Sequence, residues 1–246
     1  MQTLGLVSIS FRSLSPEELL CLCREAGLSS IEWGSDVHVK PEDQENLQAV
    51  LALEKEHGIS CSSYGTYFKL GVHSLDTLTS YIETAKALKT DILRIWGGEK
   101  DFEKMSEEER KALLEEAKKA ALIAEKSGVT LCLECHNGTV TSCLDGAKFI
   151  IEGTSSNALQ MYWQPNQYKS LEENLAYAEW AAPYTKVIHV FNWRENLRFP
   201  LGEAVGLWKR YLGYFDGTQT LLLEFMPKNE PDELKEEAKA LFEIVS

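Results

Sequence analysis

The chain has 246 residues, with 25 basic and 38 acidic side chains and a formal net charge of −13. Hydrophobic residues make up 44 % of the sequence and charged residues 26 %, which is typical of a globular protein. The strong negative charge excludes a protein built to bind nucleic acid or anionic lipid surfaces, because both would repel it.

Strand-like and helix-like segments alternate along the whole chain. The pattern predicts strands at 3–11, 30–34, 59–65, 91–96, 129–136, 158–164, 186–191 and 218–225. It predicts helices at 16–26, 42–57, 74–89, 107–126, 144–152, 170–182, 203–215 and 232–245. Capping boxes, in which a serine is followed three residues later by glutamate, mark three helix starts, at Ser15, Ser106 and Ser170.

Eight strand–helix pairs without a linker predict an α/β fold, a single (β/α)8 TIM barrel in one domain, 1–246. An open doubly wound sheet would usually carry a glycine-rich loop after its first strand, and SISFRSLS has no glycine. No apolar run approaches the roughly 18–20 residues of a membrane helix. The start of the sequence lacks the pattern of a secretory signal, so we expect a cytoplasmic protein.

Six cysteines include a CxxC pair, Cys132 and Cys135, in the fifth predicted strand. Residues three apart on a strand face opposite sides, so these thiols should not bind one metal ion together. We expect buried, reduced cysteines.

Polar residues stand at the ends of the fifth to eighth strands, where the chemistry of such barrels is located. Alternation along these strands places Glu134, Gln164, His189 and Glu224 at the inner face of the mouth. Because a buried carboxylate is costly unless it is paired or bound to a metal, the set predicts a site for one divalent ion. Its oxygen and imidazole donors suit Mn²⁺, Mg²⁺, Co²⁺ or Zn²⁺.

Motifs with a recognisable order extend over nearly the whole chain. They are IEWGSDVHV (31–39), SYGTYFKLG (63–71), LRIWGG (93–98), LECHNGTVT (133–141), MYWQPN (161–166), VIHVFNW (187–193) and LLLEF (221–225). In them the chain resembles the sugar phosphate isomerase/epimerase group with the xylose isomerase-like TIM barrel. The resemblance implies one divalent ion held by Glu, Asp, His and Glu, which by position are Glu134, Gln164, His189 and Glu224. Gln164 stands where the family usually has Asp.

The resemblance also implies a reaction, the isomerisation or epimerisation of a small-molecule sugar in carbohydrate metabolism. The metal would act as a Lewis acid while a proton is transferred through a cis-enediolate. Glu134 and Glu224 would be the catalytic residues, one removing the proton and the other returning it.

Eight further residues near strand ends are candidates for substrate binding. They are Glu32, His38, Tyr64, Arg94, Trp96, His136, Trp163 and Trp193. Aromatic rings can stack on the apolar face of a sugar, and Arg94 could bind a hydroxyl or phosphate group or neutralise Glu134. For each residue taken alone, core packing is the competing interpretation.

Two other functions stay open on the sequence. A non-catalytic sugar-binding or regulatory barrel is compatible with Gln164 in place of an acidic ligand. A hydrolase similar to abasic-site endonucleases would need more histidine and carboxylate ligands and a basic groove, whereas the chain has five histidines and a charge of −13. Apolar residues Phe199, Trp208 and Tyr211 would suit a homodimer surface.

Overall fold

Eight parallel strands close into a barrel in the computed structural model, which describes residues 2–246. They are β1 (Leu4–Val7), β2 (Ser30–Gly34), β3 (Ser60–Lys69), β4 (Ile92–Trp96), β5 (Thr130–Glu134), β6 (Leu159–Trp163), β7 (Thr185–Val190) and, last in the chain, β10 (Thr220–Leu223). Two short antiparallel strands, β8 (Trp193–Arg194) and β9 (Leu197–Arg198), form a separate hairpin. The order around the barrel is β1-β10-β7-β6-β5-β4-β3-β2.

Eight α-helices connect these strands. They are α1 (Pro16–Glu25), α2 (Gln44–His57), α3 (Leu75–Ala87), α4 (Glu107–Ser127), α5 (Leu144–Thr154), α6 (Leu171–Ala181), α7 (Val205–Leu212) and α8 (Leu234–Val245). All three predicted capping boxes are present at the starts of α1, α4 and α6. The predicted (β/α)8 barrel is therefore confirmed.

Three segments differ from the sequence-based prediction. The first strand ends at Val7, and residues 8–11 form a 3-10 turn because the Ser8 and Ser10 hydroxyls accept backbone N–H groups of Gly34 and Phe225, each at 2.9 Å. The third strand is longer than predicted, with an irregular register after Gly65. The predicted helix 203–215 is a 3-10 turn over 201–204 followed by α7.

Apolar side chains pack in two layers, one on each side of the barrel wall. The inner cluster consists of Val7, Ile9, Cys132, Tyr162, Val187 and Leu222. The larger outer cluster lies between the strands and the helices and includes Cys135. The CxxC cysteines thus belong to different layers, as the strand alternation predicts, and all six cysteines are free thiols.

The apolar residues of α7 face inward. Trp208 and Tyr211 are only 1 % and 3 % exposed and pack around Trp163. Phe199 is half-buried beneath the guanidinium of Arg194. This corrects the expectation that Trp208 and Tyr211 are exposed for a dimer surface, while a homodimer stays a prediction. Spacing along a helix does not show whether its aromatic face meets solvent or the barrel.

None of the helices within residues 2–246 is both long enough and apolar enough to cross a membrane.

Candidate active site

Four side chains from consecutive barrel strands approach one point at the mouth of the barrel. Glu134 is the last residue of β5, Gln164 follows β6, His189 lies in β7 and Glu224 follows β10. His189 Nδ1 is 2.8 Å from Gln164 Oε1, 3.4 Å from Glu224 Oε2 and 3.8 Å from Glu134 Oε1. Such separations are those of donor atoms that share one ion at about 2.0–2.3 Å. We call these four residues the donor set.

The amide of Gln164 is oriented by the backbone. Its Nε2 donates a hydrogen bond to the carbonyl of Cys135 at 2.9 Å, so its Oε1 faces His189. An amide oxygen can ligate a divalent ion, although it contributes no charge.

A buried ion-pair network supports the donor set from below. Arg94, on β4, is 2 % exposed and donates from Nε to Glu32 Oε1 at 3.0 Å and from Nη1 to Glu134 Oε2. Glu32, on β2, also accepts hydrogen bonds from Ser63 Oγ and from the Tyr162 hydroxyl. Because one carboxylate oxygen of Glu134 is held by Arg94, the other is left facing the donor set.

Glycine at position 65 makes room for this network. A Cβ there would lie 2.3 Å from Glu32 Oε1 and 2.8 Å from Arg94 Nη2. A side chain on this part of β3 would therefore displace the ion pair.

The protonation states of the donor set are unequal. Burial lowers the pKa of His189 to about 4, so the ring is neutral, the form that ligates metals. Burial opposes ionisation of Glu134, but the charge and hydrogen bond of Arg94, together with the neighbouring His189 and His136, lower the pKa of this carboxyl. Burial and the negative charge of Glu134 raise the pKa of Glu224 well above its ordinary value.

The charges and donor atoms of this set match those of a cation site. The carboxylates of Glu134 and Glu224 lie beside the ring of His189, and one ligand atom of each of the three lies within 4.8 Å of the others. If a cation binds His189 at Nδ1, the ring proton resides on Nε2, which is 3.9 Å from Glu32 Oε1. The donor set therefore fits a divalent ion, and it contains the one cluster of at least three acidic, histidine or cysteine donors found in residues 2–246.

A cavity of about 450 Å³, counting its opening to solvent, lies against the donor set. Glu134, Gln164 and Glu224 form part of its wall. The remaining wall comes mainly from loops and includes His136, Asn137, Pro165, Asn166, Gln167, Phe191, Trp193 and Phe225.

Two of the eight predicted substrate-binding residues, His136 and Trp193, line this cavity. His136 donates from Nδ1 to the carbonyl of Asn137 at 2.7 Å, which leaves Nε2 as a hydrogen-bond acceptor. Its ring stacks on Trp96, with centroids 4.3 Å apart, so Trp96 supports the wall from behind. Contact of these three residues with substrate stays a prediction.

Three other candidates lie below the mouth rather than in it. Arg94 and Glu32 are buried in the network under the donor set, where they contact Glu134 and one another. His38 is 4 % exposed and shares a hydrogen bond with Ser8 Oγ at 3.0 Å. This corrects the expectation that the three side chains lie in the mouth, while their contact with substrate stays a prediction.

Tyr64 and Trp163 point away from the barrel interior. Tyr64 is fully buried and donates its hydroxyl to the carbonyl of Val39 at 2.6 Å. Trp163 is fully buried against α7. These two predictions are corrected because nearness to a strand end does not determine which side of the barrel wall a ring occupies.

The structure adds residues that the sequence reasoning did not select. Tyr162 shares the inner face of β6 with Gln164, so strand alternation carried a signal for it. The sequence carried no signal for the β8–β9 hairpin and its Arg198, because strands of two residues show no periodicity.

Comparison with known proteins agrees with the barrel fold described above. The family model described as a xylose isomerase-like TIM barrel matches residues 20–244. A search of curated protein sequences gives no match.

Several solved structures superpose on nearly the whole chain. The probable 3-DHS dehydratase AsbF from Bacillus anthracis, described as involved in petrobactin synthesis, is 17 % identical, with 98 % of this chain and 99 % of that one covered and a TM-score of 0.84. The IOLI protein with a bound zinc atom is 15 % identical, with coverage of 100 % and 98 % and a TM-score of 0.78. L-ribulose 3-epimerase is 15 % identical, with coverage of 98 % and 93 % and a TM-score of 0.76. At these identities the likeness shows the fold.

Proposed function

Because the chain belongs to the xylose isomerase-like TIM barrel family, we propose that it is a divalent-metal-dependent sugar isomerase or epimerase. The observation that carries the proposal is the donor set, in which the ligating atoms of Glu134, His189 and Glu224 lie within 4.8 Å of one another. The oxygen of Gln164 completes it.

The donor set would hold the ion at the wall of the cavity. When bound, a divalent ion supplies a Lewis acid that polarises a carbonyl and stabilises the negative charge that develops beside it. The ion would be Mn²⁺, Mg²⁺, Co²⁺ or Zn²⁺, all of which accept oxygen and imidazole ligands.

Glu134 and Glu224 would move the proton. One carboxylate takes the proton from the carbon beside the carbonyl, and the electron pair of that C–H bond becomes the double bond of a cis-enediolate. The other carboxyl returns a proton. Return to the same carbon from the opposite face gives an epimer, whereas return to the neighbouring carbon gives an isomer. Arg94 would keep Glu134 ionised and correctly oriented.

Three comparisons bear on this proposal, and none of them extends to substrate identity. One structural neighbour is named as a sugar epimerase and another contains zinc. A third is named as a dehydratase, and proton removal beside a carbonyl can also begin a dehydration.

The alternatives predict different observations. A hydrolase similar to abasic-site endonucleases would need a larger set of metal ligands, but residues 2–246 show one cluster with three such residues plus an amide. A non-catalytic sugar-binding barrel would bind a sugar without exchanging its protons.

The experiment that tests the proposal is solvent deuterium uptake. Protein stripped of metal is reloaded with Mn²⁺ and incubated in D₂O with a panel of ketoses and small hydroxyketones, and exchange is followed by proton NMR. We expect exchange at the carbon beside the carbonyl of at least one compound, and none with stripped protein. Failure of the protein to bind any divalent ion would contradict the proposal, and metal binding without exchange would favour the non-catalytic barrel.

The substitution Glu224→Gln should reduce the exchange rate by roughly 10²–10⁴-fold, because it removes a proton acceptor and a charged ligand together. Exchange rates and Mn²⁺ affinity are measured on the same preparations. Glu54→Gln is the matched control, since Glu54 is also buried but bonds Trp33 Nε1 at 2.7 Å outside the cavity. Equal rates in Glu224→Gln and the unmodified protein would rule out Glu224 as a proton carrier.

A further inference from the structure

The β8–β9 hairpin places Arg198 against two aromatic side chains of the cavity wall. Its guanidinium carbon lies 4.7 Å from the ring centres of both Trp193 and Phe225, and those rings are 5.7 Å apart. Both rings line the cavity, and Phe225 directly follows Glu224 of the donor set. The positive charge is therefore held between the rings of two residues that line the cavity, one of them the neighbour of Glu224 in the chain.

Among the described residues, Arg198 makes no direct ion pair, although the charge of Glu224 acts on it from farther away. Within residues 2–246, its side chain makes no ion pair within 4.0 Å and donates no hydrogen bond, although it is half-buried. Arg194, on the same hairpin, pairs with Glu203 at 3.3 Å. Lys69, behind Trp96, lies 3.6 Å from Glu99. A half-buried guanidinium whose N–H groups donate no hydrogen bond has unused donors for an anion.

The ring on one side of Arg198 is fixed by an unusual backbone conformation. Phe225 has φ of 52°, in the left-handed region that a bulky side chain rarely adopts. Its N–H donates to Ser10 Oγ at 2.9 Å, which anchors this conformation to the turn after β1. Strain of this kind persists where the surrounding structure enforces it, and it is concentrated at binding sites. Here it turns the Phe225 ring toward Arg198.

The charges around the cavity leave one positive charge unmatched. Arg94 balances Glu32, and a divalent ion would balance Glu134 and Glu224. Arg198 then remains, in a chain whose formal net charge is −13. A neutral sugar would leave the guanidinium of Arg198 without a direct ion pair, whereas a ligand with one anionic group would form that ion pair.

We propose that Arg198 binds an anionic group of the substrate, a carboxylate or a phosphate ester, so that the substrate class is an acidic sugar derivative rather than a neutral sugar. The inference deepens the proposed function and rests on it. The guanidinium fork matches both anions, and such charge-assisted hydrogen bonds are the strong ones.

Three probes that share a hydroxymethyl ketone test the proposal. Hydroxypyruvate carries a carboxylate, dihydroxyacetone phosphate carries a phosphate ester, and dihydroxyacetone is neutral. Their affinities for the Mn²⁺-loaded protein are measured by calorimetry and by quenching of tryptophan fluorescence. We expect one of the anionic probes to bind about tenfold or more tightly than the neutral one, and the better of the two identifies the anion.

The variant Arg198→Gln should abolish this preference and leave the affinity for dihydroxyacetone unchanged, while Arg198→Lys should retain part of it. Arg194→Gln is the matched control and should keep the full preference, because Arg194 is already paired with Glu203. Circular dichroism checks that each variant is folded. Equal affinity for the three probes, no binding of the anionic probes, or a preference that survives in Arg198→Gln would overturn the proposal.

The two proposals fail in distinguishable ways. Deuterium exchange with Mn²⁺ but without a preference for anions would refute the role of Arg198 and leave the proposed reaction in place. A preference for anions that depends on Arg198, in a protein that exchanges no protons, would refute the reaction and leave the binding site in place.

Discussion

Two arginines of this barrel occupy opposite electrostatic environments. Arg94 lies under the donor set, 2 % exposed, between the carboxylates of Glu32 and Glu134. Arg198 lies on the β8–β9 hairpin, between two aromatic rings of the cavity wall and without a carboxylate within 4.0 Å among the described residues. The guanidinium of Arg94 donates to two carboxylates, whereas that of Arg198 donates no hydrogen bond within residues 2–246.

This difference predicts that one arginine stabilises the protein and that the other binds a ligand. A buried ion pair is costly to form and more costly to break, because removal of one partner leaves an uncompensated charge in the interior. Arg94 therefore matters for the position of Glu134 and for stability. A charge beside a cavity that makes no direct ion pair contributes little to stability and is available to a ligand, so Arg198 should matter for binding.

The largest expected effect is that of Arg94→Met on stability. It leaves Glu32 and Glu134 buried without their counter-ion and should lower the free energy of unfolding by about 3–5 kcal/mol, measured by urea denaturation. Arg198→Gln loses only the contacts with two aromatic rings and should lower it by about 0.5–1 kcal/mol. The double variant Arg94→Met/Glu32→Gln should recover part of the loss. Equal stability of the Arg94→Met and Arg198→Gln variants would contradict the distinction between a buried, paired arginine and one that makes no direct ion pair.

The substitution Gln164→Glu tests whether this residue is a metal ligand, because it adds a negative charge to the donor set. A third carboxylate in the donor set should raise Mn²⁺ affinity by about tenfold. In metal-free protein the same change loses the hydrogen bond to the carbonyl of Cys135 and should cost about 1–3 kcal/mol of the free energy of unfolding. Both are measured by Mn²⁺ titration and by denaturation with and without chelator. Gln167→Glu, on the cavity wall outside the donor set, is the control. Unchanged affinity would argue against Gln164 as a ligand.

The smallest expected effect concerns the hydrogen bond between Glu237 and the segment that follows the β8–β9 hairpin. Glu237 on α8 accepts the N–H of Leu201, just after the hairpin, and burial raises its pKa from 4.5 to about 7. Folding thus favours its protonated form. The stabilising contribution is complete below pH 4.5 and is lost as the pH rises to about 7.

Glu237→Gln should flatten that part of the stability–pH profile by about 1–2 kcal/mol, followed by thermal denaturation at a series of pH values. Glu179→Gln, at an exposed position of α6, should leave the profile unchanged. A profile in Glu237→Gln that still falls between pH 4.5 and 7 as in the unmodified protein would assign the titration to another group.

Much of the site could be predicted from the alternation of the strands. Glu134, Gln164, His189 and Glu224 follow from the two-residue period, because parallel strands of a barrel all end at the same rim. The period also separates Cys132 from Cys135. It could not place Tyr64 or Trp163 at the mouth, and those assignments came from nearness to a strand end, without regard to which face the ring occupies.

What the sequence alone determined is the order of strands and helices, the capped helix starts and the residues at the strand ends, since each depends on spacing over a few positions. Only the tertiary structure decided which charges meet. Arg94 reaches Glu32 from 62 positions away and Glu134 from 40, and Arg198 meets Phe225 through a hairpin without a sequence pattern. Barrel closure and loop conformation determine those contacts, because a long, flexible side chain binds whichever group the folded chain brings within reach.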